Sequence, residues 1–489
     1  MPPVKEAAAV VHRQWTTQGK TLSYTTTTGH LTTQPLTGGN AASMFYVAYT
    51  LNGEQTAQRP VTFFFNGSIG GIPAVFLNIL GWAPIRMRAN TGTPAHPVYP
   101  VGPSPDSLLD KSDLVFIDPP GIGFSEAIAP AKNRDFNSLD SDASAFRDFI
   151  SHYMAVNHRT DSPVYLYGES DGAGRAAVLT RKLNAIGMPP AGAILNSPAT
   201  GRYEISCTPK YDPERFYSCA ARVLMAAAVS HYYGLVGKGI PQSQFMNDVM
   251  KFTHDVYLPQ EAEALKKQTL LPDETITRLA EYTGFDKKQW QKVPVYWDVV
   301  ASPVDKWISL AHLDCTDFNN RNEGTGDCPS TGYDWRKIQD EPSAHLPQMK
   351  NLYRYAQNIY ASLLGYSSVS DYALGTQKSG EGWRFDTVPV WADAMKDNKK
   401  LRILTISGYY DEMAPFYSAM LAFSDKSLDA SRIWTTVFEG GHQTYLTEQS
   451  RPGIRAVIDR FYDAGAAANS NHKFFQIPFE SAGVTFRSE

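Results

Sequence analysis

The chain has 489 residues, with 45 Lys and Arg against 49 Asp and Glu, a formal net charge of -4 and a pI near 6.3. That balance, with no dense Lys/Arg cluster interleaved with aromatics, argues against nucleic acid as a partner. An apolar fraction of 43% and a charged fraction of 19% fit a soluble globular protein. No apolar run approaches the roughly 18–20 residues that a membrane span needs.

In chain order, Leu22 to Leu36 is rich in Thr and Tyr and is interrupted by Gly29-His30, which predicts a β-hairpin turning there. Ser43 to Thr50 predicts a strand, followed by an Asn52-Gly53 turn. Val61 to Phe65 predicts a buried strand feeding the glycine-rich stretch Asn66-Gly67-Ser68-Ile69-Gly70-Gly71. Asp113 to Asp118 predicts the next buried strand, and Ser141 to Val156 a helix. From Thr200 to Asp371 strand signals fade and aromatic and charged residues recur at helical spacing. The expected organisation is an α/β core in two parts, 1–199 and 372–489, with a mainly helical cap inserted over 200–371. Within the cap, His231-Tyr232-Tyr233 reads as a packed aromatic cluster. Asp273-Glu274 and Glu261 to Glu263 read as solvated helix faces. Strands at Leu401–Ser407 and Arg432–Phe438 and a helix at Arg451–Tyr462 complete the core; the tail after Gly465 reads as a loosely packed extension.

The pattern is organised around one stretch. A short β-rich run, Val164 to Tyr167, leads into Gly168-Glu169-Ser170-Asp171-Gly172, and a helix-prone segment runs from Arg175 to Asn184. Gly-x-Ser-x-Gly between strand and helix predicts a nucleophile elbow, with Ser170 on a sharp turn. The following helix N-terminus aims N–H groups and positive dipole at a developing oxyanion. Acyl transfer further needs a base and an acid that orients it. In α/β-hydrolases these follow the serine in the order acid, then histidine, each at the C-terminal end of a strand. Asp411 and His442 meet both conditions. Strands alternating with helices predict a mostly parallel sheet with helices on both faces.

These motifs resemble the serine carboxypeptidase family, in particular its bacterial branch. The resemblance rests on Phe63-Phe64-Phe65-Asn66-Gly67, Asp113 to Asp118, Gly123-Phe124-Ser125, Gly168-Glu169-Ser170, Ser407-Gly408-Tyr409-Tyr410-Asp411 and Gly440-Gly441-His442. It implies Ser170 as nucleophile, His442 as general base and Asp411 as its orienting acid. The oxyanion donors would be the backbone N–H groups of Ser68 and Asp171. Asn66, the Gly67 N–H and Glu169 would hold a substrate's terminal carboxylate. A glutamate shares a proton with a bound carboxylate only if its pKa is raised, so the resemblance implies activity at acidic pH. The departures gather at the same pocket. Gly67-Ser68-Ile69-Gly70 replaces the family's Gly-Gly-Pro-Gly, Asp171 its tyrosine, Gln443 its methionine, and Glu412-Met413-Ala414 the more usual Leu-Ala-Thr. Asp171 either opposes a substrate carboxylate and favours a cationic or amine-bearing substrate, or turns away and bonds locally.

The leading expectation is therefore a serine-type carboxypeptidase working through an acyl-enzyme on Ser170. Kept beside it are a hydrolase or acyltransferase for a non-peptide ester or amide with a remodelled pocket, natural or engineered, and a catalytically silent scaffold. No cofactor or metal is implied, and the sequence does not set the oligomeric state. Cys207, Cys219, Cys315 and Cys328 form two close pairs with 11 and 12 residues between partners and no C-x-x-C spacing. Two disulfides are the expectation, pointing to a secreted or periplasmic protein; four reduced cysteines and the cytosol are the alternative. Met1 to Glu6 carries no signal-peptide apolar core, so a secreted form needs a leader absent from this sequence.

Overall fold

The computed structural model describes residues 6–53, 58–67, 73–88, 99–202, 217–291, 349–372 and 385–466, apart from single positions 18, 34, 37, 369 and 412. The chain opens with β1 (Ala8–Thr17), β2 (Lys20–Thr32), β3 (Ala42–Leu51) and β4 (Val61–Phe65). A small ribbon, β5 (Ile85–Met87) with β6 (Val101–Pro103), precedes β7 (Asp113–Ile117) and β8 (Glu126–Ala127). Next come α1 (Leu139–Val156), β9 (Val164–Glu169), α2 (Gly172–Ala185) and β10 (Gly192–Asn196).

Helices follow: α3 (Tyr217–Tyr232), α4 (Gln242–Phe252), α5 (Leu258–Lys267), α6 (Asp273–Thr283), α7 (Lys287–Trp290), α8 (Met349–Ser362) and α9 (Val388–Asp397). The chain then returns to the sheet with β11 (Arg402–Gly408), α10 (Phe416–Phe423), β12 (Ile433–Phe438) and α11 (Arg451–Ala466).

The sheet has ten strands in the order β1-β2-β3-β7-β4-β9-β10-β11-β12, with β8 on the flank of β3. From β7 to β12 every pairing is parallel, while β1, β2, β3 and β7 pair antiparallel. Successive side chains on a strand point to opposite faces. Both faces of the central strands are buried, which is why Val61 to Phe65 reads as a continuous apolar run. Phe64, Tyr167, Ile194 and Leu404 face one layer with α11; Phe63, Phe65, Leu166 and Leu195 face the other with α1, α2 and α9.

Two expectations need correcting. No turn falls at Gly29-His30: β2 runs through it, and its hairpin partner is β1, joined through Gly19 at φ +75°. Gly29 is needed because the start of β1 crosses there, and a Cβ would lie 2.4 Å from the Ala7 carbonyl oxygen. Glu261 is not solvated either. One helical turn beyond Tyr257, it sits on the inward face of α5 at 2% exposure, and burial pushes its carboxyl up to about 8. Glu263, Asp273 and Glu274 do face solvent. His231-Tyr232-Tyr233 packs as expected: the His231 ring stacks on Phe245 at 4.7 Å, and Tyr232 packs against Tyr233 and Tyr410. Cys207, Cys315, Cys328 and the tail beyond Ala466 lie outside the described residues, as does the side chain of Cys219.

The sheet's N-terminal edge is tied by one buried carboxylate. Asp113 accepts from Arg59 (2.8 Å) and from the Leu51 N–H (3.0 Å), and pairs with Arg159. Asp113→Ala would strand two buried guanidinium groups. It is expected to lower unfolding free energy by about 3–5 kcal/mol in urea titrations, whereas a surface Asp→Ala costs under about 0.5 kcal/mol.

Candidate active site

Parallel strands place their C-terminal ends on one edge of the sheet, so β4, β9, β11 and β12 deliver Asn66-Gly67, Ser170, Asp411 and His442 to the same side. Ser170 occupies the tip between β9 and α2 at φ +59°, a left-handed conformation that costs a non-glycine residue about 1–2 kcal/mol. Surrounding backbone holds it there. The Ser170 N–H donates to the Asn196 carbonyl (3.0 Å), and its own carbonyl accepts from Ala173 (3.0 Å) and Ala199 (3.1 Å). The glycines are steric requirements. A Cβ at Gly168 would sit 2.5 Å from the Gly172 oxygen, and one at Gly67 2.4 Å from the Asp171 nitrogen. From Val164 to Ala177 only Ser170 and Asp171 are not buried.

β11 and β12 bring Asp411 and His442 together. A Cβ at Gly408 would lie 2.2 Å from the Gly440 oxygen, so the two strand ends close on each other. His442 Nδ1 lies 3.1 and 3.0 Å from the two Asp411 oxygens, and Asp411 Oδ1 accepts from the N–H groups of Met413 (2.9 Å) and Ala414 (3.0 Å). An Nδ1–H donated to the carboxylate leaves Nε2 as the basic nitrogen. Burial alone would lower the His442 pKa, but the charge and hydrogen bond of Asp411, with the charges of Glu169 and Asp171, raise it to about 8.

Glu169 is fully buried beside this pair. The Asn66 amide donates to its Oε1 at 2.7 Å, while the Gln443 and Asn196 amides approach its two oxygens at 3.5 Å. Burial raises its pKa, against the opposing pull of His442, the Tyr445 hydroxyl and the Asn66 and Gln443 amides. Asn66 also accepts from the Gly67 N–H (2.6 Å).

Three positioning residues escape a sequence reading. Arg175, buried on α2, pairs with Asp142 of α1 and donates to the Asn66 carbonyl, fixing the β4 loop against the elbow. Asn196 (3.1 Å) and Ser197 (2.7 Å) both donate to the His442 carbonyl. Their one available signal is polarity at the end of an otherwise apolar strand, Gly192–Asn196. Ser68, the other expected oxyanion donor, and the rest of 68–72 lie outside the described residues, as does Glu412. Among the described residues no group of three or more His, Cys, Asp or Glu is placed to hold a metal ion. No described helix is long and apolar enough to cross a membrane.

No protein-family model and no curated sequence relative matches the chain. Among solved structures it is similar to the prohormone-processing carboxypeptidase Kex1Δp of Saccharomyces cerevisiae, at TM-score 0.52 and 12% identity over 90% of this chain and 91% of that one. Looser likenesses include the peroxisomal α/β-hydrolase Lpx1 of Saccharomyces cerevisiae, at TM-score 0.36 and 12% identity over 94% of this chain and 90% of that one. Another is the haloalkane dehalogenase DbeA of Bradyrhizobium elkani, at TM-score 0.33 and 13% identity over 94% and 100%. At such identities a likeness bears on fold alone. With the sheet order, the parallel register and the strand–turn–helix at Ser170, the chain has the α/β-hydrolase fold.

Proposed function

We propose that the protein is a serine hydrolase that releases C-terminal residues from peptides. The observation that carries this reading is Ser170 itself, held in a left-handed turn between Gly168, where no Cβ fits, and Gly172, on the sheet edge that also bears the hydrogen-bonded Asp411–His442 pair. A strained backbone at an accessible serine is a device of acyl-transfer sites. In this reading Ser170 Oγ attacks the scissile carbonyl and passes its proton to His442. His442 protonates the leaving amine as the C–N bond breaks, and water then hydrolyses the acyl-enzyme. Asp411 fixes the imidazole tautomer, and the N–H groups of Asp171 and Ser68 serve the oxyanion. Asn66, the Gly67 N–H and protonated Glu169 hold the substrate's carboxylate. The helices between residues 200 and 371 act as the cap, with a peptide as the partner and no cofactor.

The test compares a blocked dipeptide carrying a free C-terminus with its C-terminal amide and an aryl ester. A Ser170-dependent preference for the free acid supports the reading. Turnover of the ester or amide alone means a redirected pocket, and failure of a fluorophosphonate to label Ser170 means a silent scaffold. Gly67→Ala supplies an internal check. Its methyl group collides with the elbow backbone, so kcat is expected to fall about 10²–10³-fold, the loss of one oxyanion donor, while the far-ultraviolet circular dichroism stays native.

A further inference from the structure

The strand that carries Asp411 stays bonded to its neighbour beyond its own end. The Tyr409 N–H donates to the Phe438 carbonyl (3.0 Å) and the Tyr410 N–H to the Gly440 carbonyl (3.0 Å). Pairing with the β12 side therefore continues up to the residue before Asp411, opposite a glycine two residues before His442. The Tyr410 side chain leads elsewhere. It is fully buried, its hydroxyl donates to Oε1 of Gln242 at 2.9 Å, and its ring packs edge-on against Tyr232 at 5.7 Å. Gln242 opens α4 and Tyr232 closes α3. One apolar cluster joins these two helices to Tyr409, Tyr410 and Phe416, so they form a packed unit with the strand end that bears the acid. Tyr410 thus bonds the histidine's strand through its backbone and the helices through its side chain, with Asp411 as its next residue.

We propose that Tyr410 is a positioning residue that couples helices α3 and α4 to the Asp411–His442 pair, its hydroxyl bond to Gln242 setting the tilt of the acid. This rests on the acyl-transfer reading of Ser170. The Asp411 carboxylate is held within its own turn by the N–H groups of Met413 and Ala414, while its backbone N–H reaches the Gly408 carbonyl only at 3.4 Å. The turn therefore moves as a piece with whatever anchors its start, and that anchor is Tyr410. A carboxylate swung off Nδ1 misplaces the imidazole, and a displacement of about 1 Å can cost about 10²-fold in rate. It also weakens the charge and hydrogen bond by which Asp411 raises the His442 pKa. A tyrosine that only packed the helices would affect stability and leave that titration where it is.

The experiment follows hydrolysis of 4-nitrophenyl acetate by wild type, Tyr410→Phe, Gln242→Leu and the double variant. It runs from about pH 5 to about pH 10, which brackets the His442 titration. Each single variant is expected to lower kcat about tenfold with KM nearly unchanged. Each should also move the rising limb to lower pH by about 0.5 pH unit or more, as the bond to Asp411 loosens. The double variant should lose no more than either single one, because both changes remove the same bond. A wild-type profile in either single variant, a kcat loss with an unmoved limb, a loss confined to KM, or additive losses in the double variant overturns the proposal. A second measurement needs no turnover: the rate at which a fluorophosphonate labels Ser170, read by intact mass. Slower labelling in both single variants supports the proposal. The wild-type rate in either one overturns it while the nucleophile stands. No labelling of wild type sinks the nucleophile, and the proposal with it.

Discussion

Ser170→Ala is expected to lower kcat by about 10⁴–10⁶-fold, because the proposed acyl-enzyme then has no nucleophile. His442→Ala should fall in the same range, and the double variant should lose little more, since the two residues act as one unit. The strain at Ser170 adds a separate stability prediction. Alanine keeps a Cβ at φ +59° and so keeps the cost of the left-handed turn. Glycine adopts that conformation freely but loses more backbone entropy on folding. Ser170→Gly should thus be inactive, yet about 0.5–1 kcal/mol more stable than Ser170→Ala. Urea unfolding of the two inactive variants measures the difference directly. Equal stabilities would mean that the elbow is not strained, removing the observation that carries the functional reading.

How much of this was legible beforehand follows from burial and period. Val61 to Phe65 and Asp113 to Ile117 are buried on both faces, so their apolar runs announce central strands. β1 is an edge strand whose side chains alternate between exposed and part-buried until Trp15, and Ala8 to Thr17 carries little apolar signal. The placement of Ser170, Asp411 and His442 at strand ends was readable because the glycine-flanked motifs around them mark where a strand stops. Arg175, Asn196 and Ser197 were not, because their partners are backbone carbonyls 109 residues back, at Asn66, or 245 to 246 residues ahead, at His442, which no local pattern encodes. Ser197 sits at φ +44°, a second left-handed non-glycine residue on the same edge of the sheet, with nothing in its neighbours to mark it.

The pH dependence of the site should differ between substrates that carry a terminal carboxylate and those that do not. The raised Glu169 and the raised His442 share one local field, so they titrate as a pair. In the proposed reaction, turnover of a free acid needs Glu169 protonated to accept the carboxylate and His442 neutral to act as base, which is one proton on the pair. That count holds between the two titration steps of the pair. Below this window both groups are protonated and the base is lost; above it neither is, and ionised Glu169 repels the substrate. The kcat/KM profile for the free acid is therefore expected to be bell-shaped. An ester without a carboxylate needs only neutral His442, so its profile should rise through about 8 and level off. Glu169→Gln keeps a hydrogen-bond donor and removes the titration. The falling alkaline limb for the free acid should vanish. The rising limb for the ester should move to lower pH, because an ionised Glu169 is one of the charges that raise His442. A free-acid profile that keeps its alkaline fall in Glu169→Gln would show that some other group governs carboxylate binding, and Asn66 would be the next residue to replace.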